Sequence, residues 1–227
     1  MPACPGHQQQ GSRPLRADAE RNRVAIVTAA REVFARQGLT APLEEIAAQA
    51  GVGIATLYRR FPTRERLVGA ALASKVCEYA GAAEAALACD DPRAGFTGFV
   101  RAICELQSGD RGLADLLSMG LPADEEVEAL RAQAGRAVAA LIDRAKAAGV
   151  LRADFVAQDL LLLQIANAGV VHVTGLDAPL AWRRFTALAL DAFLAAGAPP
   201  LPPPPTAAQM NLAMRRLATE RGCGEGA

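Results

Sequence analysis

Aromatic residues make up 4% of these 227 residues, and there are two histidines, His7 and His172. A chain so poor in histidine that also lacks a Gly-rich phosphate loop, a GxSxG elbow and an HExxH helix has little with which to run acid–base, nucleophilic or metal chemistry. An enzyme is therefore not expected, and no cofactor is called for. The five cysteines, Cys4, Cys77, Cys89, Cys104 and Cys223, are odd in number and contain no CxxC pair, which argues against a disulfide framework or a zinc ribbon. Cys4 and His7 form a CxxH without a second ligand pair, so no metal site is expected. The longest apolar stretch, Leu160 to Val173, is interrupted by Gln164, Asn167 and His172 and falls short of the ~20 residues of a membrane helix. The opening MPACPGHQQQGSRPLR has no cationic start ahead of an apolar run, so no signal peptide is read there and a cytoplasmic protein is expected.

Alanine and leucine dominate what is present, and nearly every basic residue is arginine. Helix formers thus prevail over strand formers, and an all-α fold follows. Formal net charge is zero, but it is unevenly spread: residues 1–66 hold ten Lys/Arg against six Asp/Glu, whereas residues 67–227 hold fourteen against eighteen. The positive end carries the most structured motif of the chain.

That motif is LEEIAAQAGVGIATLYRRF, from Leu43 to Phe61. Leu43, Ile46, Ala47 and Ala50 form one apolar stripe of a short helix. Gly51 follows the last periodic residue and supplies the left-handed conformation that ends a helix. A second helix from Gly53 to Phe61 buries Leu57 and Phe61 and leaves Thr56, Arg59 and Arg60 outward. Two short helices joined by a tight glycine turn make a helix-turn-helix, whose second helix fits the DNA major groove. No carboxylate lies between Gly53 and Arg64 to repel phosphates.

EEIAAQAGVGIATLYRRFPTRERL closely resembles the DNA-binding motif of the TetR family of transcriptional regulators, in which an IA, an AGV turn, a TLY and a phenylalanine precede Thr/Ser-Lys/Arg-Glu. The match runs through Ile46, Ala47, Ala50, Gly51, Val52, Thr56, Leu57, Tyr58, Phe61, Thr63, Arg64 and Glu65. The resemblance implies that Thr56 and Tyr58 bond phosphates, that Arg64 meets a phosphate from the start of the fourth helix, and that Ile54, Ala55 and Arg59 face bases. Arg60 stands where many relatives carry histidine, and Gly53 where serine is common. VLRADFVAQDLLLL and WRRFTALALDAFL resemble, more loosely, the C-terminal part of the SbtR-like subgroup.

Along the chain, residues 1–17 carry no periodicity and read as a disordered tail. A first helix is expected from about Ala19 to Gln37, closed by Gly38, so that residues 18–63 make a three-helix DNA-binding domain. Pro42 is expected at the first position of the second helix. Thr63 caps a fourth helix of about 25 residues, a lever whose first turn touches the DNA-binding unit. Further helices are expected at 93–108, 110–119, 124–148, 156–174 and 180–196, giving a helical ligand-binding and dimerisation domain over residues 64–197. The eighth helix is apolar on most of its circumference and needs burial on more than one side. Together with Trp182, Phe185, Leu188, Leu190, Phe193 and Leu194 of the ninth, it is expected to form a homodimeric four-helix bundle. Such a dimer would present two recognition helices to double-stranded DNA and read a palindromic operator.

The family resemblance further implies a small-molecule effector of unknown identity held by the fourth to seventh helices, whose binding releases DNA as in a repressor. Phe96, Phe99, Ile103, Leu106, Leu117, Met119 and Leu141 are candidate apolar walls, with Gln107, Gln164, Asn167 and His172 as polar groups. Each of these polar residues also fits a core or interface hydrogen-bonder. A DNA-binding or architectural protein without an effector is the alternative, marked by the absence of a closed cavity in that domain. After Gly197 the run APPLPPPP is a stiff spacer. In the C-terminal extension (residues 198–227), Met210, Leu212, Met214 and Leu217 outline a short amphipathic helix of partial order.

Overall fold

The computed structural model describes residues 12–118, 125–194 and 197–221, and the elements in them are helices: α1 (Ser12–Gln37), α2 (Leu43–Gln49), α3 (Ile54–Arg60), α4 (Arg64–Ala88), α5 (Pro92–Gly109), α6 (Arg111–Ser118), α7 (Glu125–Ala147), α8 (Ala157–Thr174), α9 (Ala181–Phe193) and α10 (Ala207–Glu220). The side chains of residues 12–17, 125 and 126 are outside that description. So are Cys4, His7, Met119 and Cys223.

Two apolar clusters organise the chain. The first gathers Ile26, Val33 and Phe34 of α1, Ile46 of α2, Leu57 of α3 and the N-terminal half of α4 from Leu67 to Val76, with Leu113 and Leu116 of α6. The second gathers Ala83 and Ala86 of α4, Phe96, Phe99 and Ile103 of α5, Leu141 and Ile142 of α7, Leu160 and Leu163 of α8, and Trp182 and Leu190 of α9. α4 contributes to both, and so does α7, with Val127 in the first and Val138, Leu141, Ile142 and Ala145 in the second. At 25 residues α4 spans ~37 Å, which joins the two units through one continuous rod.

The ends of that rod are tied chemically. Thr63 caps its start, its Oγ1 accepting the Arg66 amide at 3.4 Å, and Glu65 complements the dipole in its first turn. At the other end Arg144 of α7 donates to the carbonyls of Leu87 and Asp90, at 2.6 and 2.9 Å. A cation on exposed C-terminal carbonyls stabilises both the orphan acceptors and the helix dipole. α5 starts with Asp91 accepting the Arg93 amide at 2.8 Å and Pro92 in its first turn.

Three expectations need correction. α1 begins at Ser12 rather than Ala19, so residues 12–17 are helical and not a tail. Leu15 is the one large apolar side chain in this stretch, too few to show a stripe, while its Arg and Ala residues are good helix formers and Pro14 falls in the first turn, where its missing N–H costs little. Pro42 precedes α2 as its cap residue, with Leu43 the first helical position. In α10, Met210 and Ala218 are buried, Met214 and Leu217 are half-buried and Leu212 is 64% exposed, so the docking stripe runs 210, 214, 217 and 218. α10 is capped at both ends of its first turn: the Gln209 amide donates to Thr206 Oγ1 at 3.2 Å and Gln209 Oε1 accepts the Thr206 amide at 2.8 Å.

Candidate nucleic-acid interface

Gly51 has a φ of +67° and sits in the turn between α2 and α3, where the Val52 amide returns to the Ala47 carbonyl at 3.0 Å. Only glycine adopts this conformation without steric cost, so the sharp bend that sets α3 across α2 is written in one residue. α3 is anchored by Leu57, fully buried, and by Phe61, 4% exposed. Each such apolar burial is worth ~1.5–3 kcal/mol. Arg23 of α1 lies 5.9 Å from the Phe61 ring centroid and covers this anchor.

The opposite face of α3 is open. Tyr58 is 47% exposed, Gly53, Ala55, Arg59 and Arg60 are exposed, and Thr56 is half-buried. Ile54 is also half-buried and packs against the first cluster, so its outward reach is smaller than that of Ala55 and Arg59. The result is a short helix with one hydroxyl-bearing aromatic and two guanidiniums standing free of the core. Such a surface can donate to phosphates and to base edges.

Arg64 has a second engagement. Its Nη1 donates to the carbonyls of Leu39 and Ala41, at 2.7 and 2.8 Å, bracing the α1–α2 turn against the start of α4. The turn is held from the other side too, because the Leu39 amide donates to Asp115 Oδ2 of α6 at 2.8 Å. Burial pushes the Asp115 carboxyl up, opposed by that amide and then by Arg221 and Arg111. Polar contacts set α1 against α2: Gln49 reaches Glu32 at 2.5 Å, Arg36 reaches Gln49 at 3.0 Å and Gln37 reaches Glu45 at 2.6 Å. The recognition surface is therefore mounted on a fixed frame whose position follows α4 and α6.

In the second unit, Phe96, Phe99, Ile103, Gln107, Gln164 and Asn167 are brought together, all buried. Among the described residues they are packed against one another. Phe96 makes an edge contact with Phe155 at 5.7 Å and Phe99 one with Tyr79 at 5.7 Å. Asn167 Nδ2 donates to Gln107 Oε1 at 2.9 Å, Gln107 Nε2 to the Gln164 carbonyl at 3.2 Å, and Gln164 Nε2 to Tyr79 Oη at 3.1 Å. Asn167 Oδ1 has no hydrogen-bond partner among the described residues. Burial pushes the Tyr79 phenol and the Cys104 thiol up, and both stay protonated in this interior. Cavities at the surface are lined by other residues, one between α5 and α9 around Arg101, Trp182 and Thr186, one where α1, α6, α8 and α10 meet, and one beside Arg31, Lys75 and Leu106, the last a candidate wall of the expected pocket. His172 belongs to the second of these, paired with Arg111. Among the described residues no group of three or more His, Cys, Asp or Glu is placed to hold a metal ion, and no helix is long and apolar enough to cross a membrane.

The sequence pattern of bacterial regulatory proteins of the tetR family matches residues 26–71, and that of the transcriptional regulator SbtR-like C-terminal domain matches residues 91–192. A TetR transcriptional regulator from Streptomyces coelicolor is 34% identical over 78% of this chain and 99% of its own, with a TM-score of 0.48. The chain belongs to the TetR family of transcriptional regulators. A second TetR regulator, from Mycobacterium vanbaalenii, is 31% identical over 80% of this chain and 100% of its own, with a TM-score of 0.44. RolR in complex with its ligand resorcinol shares the fold at 22% identity and a TM-score of 0.51, over 82% of this chain and 98% of its own. No curated protein sequence matches significantly. For this TetR-family regulator the helix-turn-helix is a DNA-binding element, and the C-terminal helices form the family's ligand-binding domain.

Proposed function

We propose that this regulator binds a palindromic operator as a homodimer joined through α8 and α9, and that it represses until a small-molecule effector lowers its affinity for DNA. What carries the reading is the free face of α3: Tyr58, Arg59 and Arg60 exposed, Leu57 locked beneath them, and no carboxylate from Gly53 to Arg64. Thr56 and Tyr58 bond phosphates, Gly53, Ala55 and Arg59 approach base edges with Ile54 packing beside them, and Arg60 adds charge. Arg64 offers a phosphate the N–H groups that it does not spend on Leu39 and Ala41.

The dimer rests on a second observation. Leu162, Val173, Leu176, Leu180 and Leu188 are 43%, 77%, 97%, 59% and 58% exposed, and all lie on α8, α9 or the turn between them. Trp182 and Leu190 face the second cluster instead, so the joining surface is built on Leu188 rather than on the whole apolar set of α9. Apolar surface of this extent is covered in a stable protein, and a second copy brings the same surface by two-fold symmetry.

Effector release draws on the family and on RolR, whose structure holds resorcinol. In this chain the Gln107–Gln164–Asn167 network, with its unmatched Asn167 Oδ1, is the polar group that a ligand donor would meet once α5 and α8 part. The close packing of Phe96, Phe99 and Ile103 favours a second reading, a DNA-binding protein without an effector. Selection of duplexes from a random pool tests the common part. A palindrome enriched by wild type and lost with Tyr58→Ala or Arg59→Ala supports it, and no enrichment sinks it.

A further inference from the structure

The α1–α2 turn, α6, the second half of α8 and the end of α10 surround a cleft of about 450 Å³. Gly38 and Thr40 give it a wall from the DNA-binding unit, and Arg111, Asp115, His172 and Arg221 supply its polar rim. Ile165, Val171 and Leu217 make an apolar floor. Leu217 and Arg221 come from or adjoin α10, beyond residue 192 where the SbtR-like match ends, so this chain builds one side of the cleft from its own extension.

The charges on the rim do not cancel. Asp115 is a pure acceptor, and it takes the Leu39 amide at 2.8 Å and Arg221 Nη1 at 3.2 Å. Its one negative charge is matched by Arg221. Arg111 Nη2 lies 2.5 Å from His172 Nδ1. A guanidinium has no acceptor, so Arg111 is the donor in this contact and its charge is not matched by it. Two guanidiniums against one carboxylate leave the rim positive. The volume lies in the range of small-molecule sites, ~300–1,000 Å³. A positive rim over an apolar floor selects a monoanion with a hydrocarbon body.

We propose that this cleft is a second ligand site, which takes a small amphipathic carboxylate with its anionic end on Arg111 beside Thr40 and its chain along Val171 and Leu217. The bound molecule touches the α1–α2 turn and α8 at once. It therefore bridges the DNA-reading unit and the remainder of the chain at the point where Asp115 already joins them. Any difference in cleft width between DNA-bound and free protein makes the two binding events mutually dependent. The site is separate from the interior around Asn167 and stands whether or not that interior takes a ligand.

The full-length protein is titrated calorimetrically with octanoate, and with octan-1-ol and octylammonium as neutral and cationic counterparts. Octanoate is expected to bind at least tenfold more tightly than either. Arg111→Ala removes a charge-assisted contact and weakens octanoate by about tenfold or more. Thr40 is exposed, so Thr40→Trp fills the cleft from solvent without entering a core and blocks binding while thermal unfolding is unchanged. Octanoate and octan-1-ol binding alike, no saturable octanoate binding at millimolar concentration, or an affinity untouched by both substitutions overturns the assignment. So does a loss with Asn167→Leu that Arg111→Ala does not share, because the ligand then sits in the interior.

Discussion

Asp115 on α6 accepts the main-chain amide of Leu39 at 2.8 Å, across 76 positions of sequence. Gly38 stands beside this bond with a φ of +84°, and a Cβ there would lie 2.4 Å from Asp115 Oδ2. The turn that carries α2 is thus locked to α6 by a contact that has no room for a Cβ unless the carboxylate moves. Gly38→Ala is expected to cost about 1–3 kcal/mol, from left-handed strain and displacement of the carboxylate. Urea unfolding measures it.

Burial holds the Asp115 carboxyl above the usual carboxylate range, so the folded state resists its ionisation. A group whose folded pKa is raised contributes its stability at low pH and loses it as pH rises through the folded value. Wild type should therefore lose stability relative to Asp115→Asn as pH rises from about 3 to 7. Paired urea midpoints across that range give the sign; a gap that grows in favour of wild type would contradict it.

Arg59→Ala and Arg60→Ala should separate reading from holding. Loss of Arg59 is expected to cost about 1–3 kcal/mol on the selected duplex and to relax its sequence preference. Loss of Arg60 is expected to weaken all duplexes alike and to lower the slope of log affinity against log salt by about one. Fluorescence anisotropy over a salt series distinguishes the two.

Asp154 binds Arg152 with both oxygens, at 2.6 and 3.0 Å, and its Oδ2 also accepts the Leu201 amide at 2.8 Å. Arg152 in turn donates to the Pro199 carbonyl at 2.7 Å, so one ion pair pins the proline-rich spacer to the elbow before α8. The bond to Arg152, followed by the Leu201 amide, holds the Asp154 carboxyl well below the usual carboxylate range. The anchor is present at neutral pH and is lost only as pH falls below that range. Asp154→Ala should speed hydrogen exchange at Leu201 at neutral pH and leave α3 protection unaltered.

The helix-turn-helix was readable because each of its parts has one physical meaning: an apolar stripe, a left-handed glycine and an uncovered basic face. The later helices were readable to within two or three residues where Pro, Gly or Asp marks an end, as at Asp91 and Gly175. The start of α1 was not, since a single large apolar residue, Leu15, leaves no stripe there. Nor was the second role of Arg64, whose partners Leu39 and Ala41 are main-chain carbonyls that carry no side-chain signature. Trp182 and Leu190 looked like dimer residues because hydrophobicity states that a face is covered and not by what. The cleft at Asp115 joins residues from Gly38 to Arg221, and no local pattern brings those together.

Two protomers on one symmetric site is the central claim, and the mass of the complex tests it most directly. Sedimentation equilibrium of wild type with the selected duplex should give two chains per duplex, while Leu180→Glu/Leu188→Glu should be monomeric alone and at least tenfold weaker on the same DNA. A single chain per duplex, or a double variant that still sediments as a pair, would contradict the account.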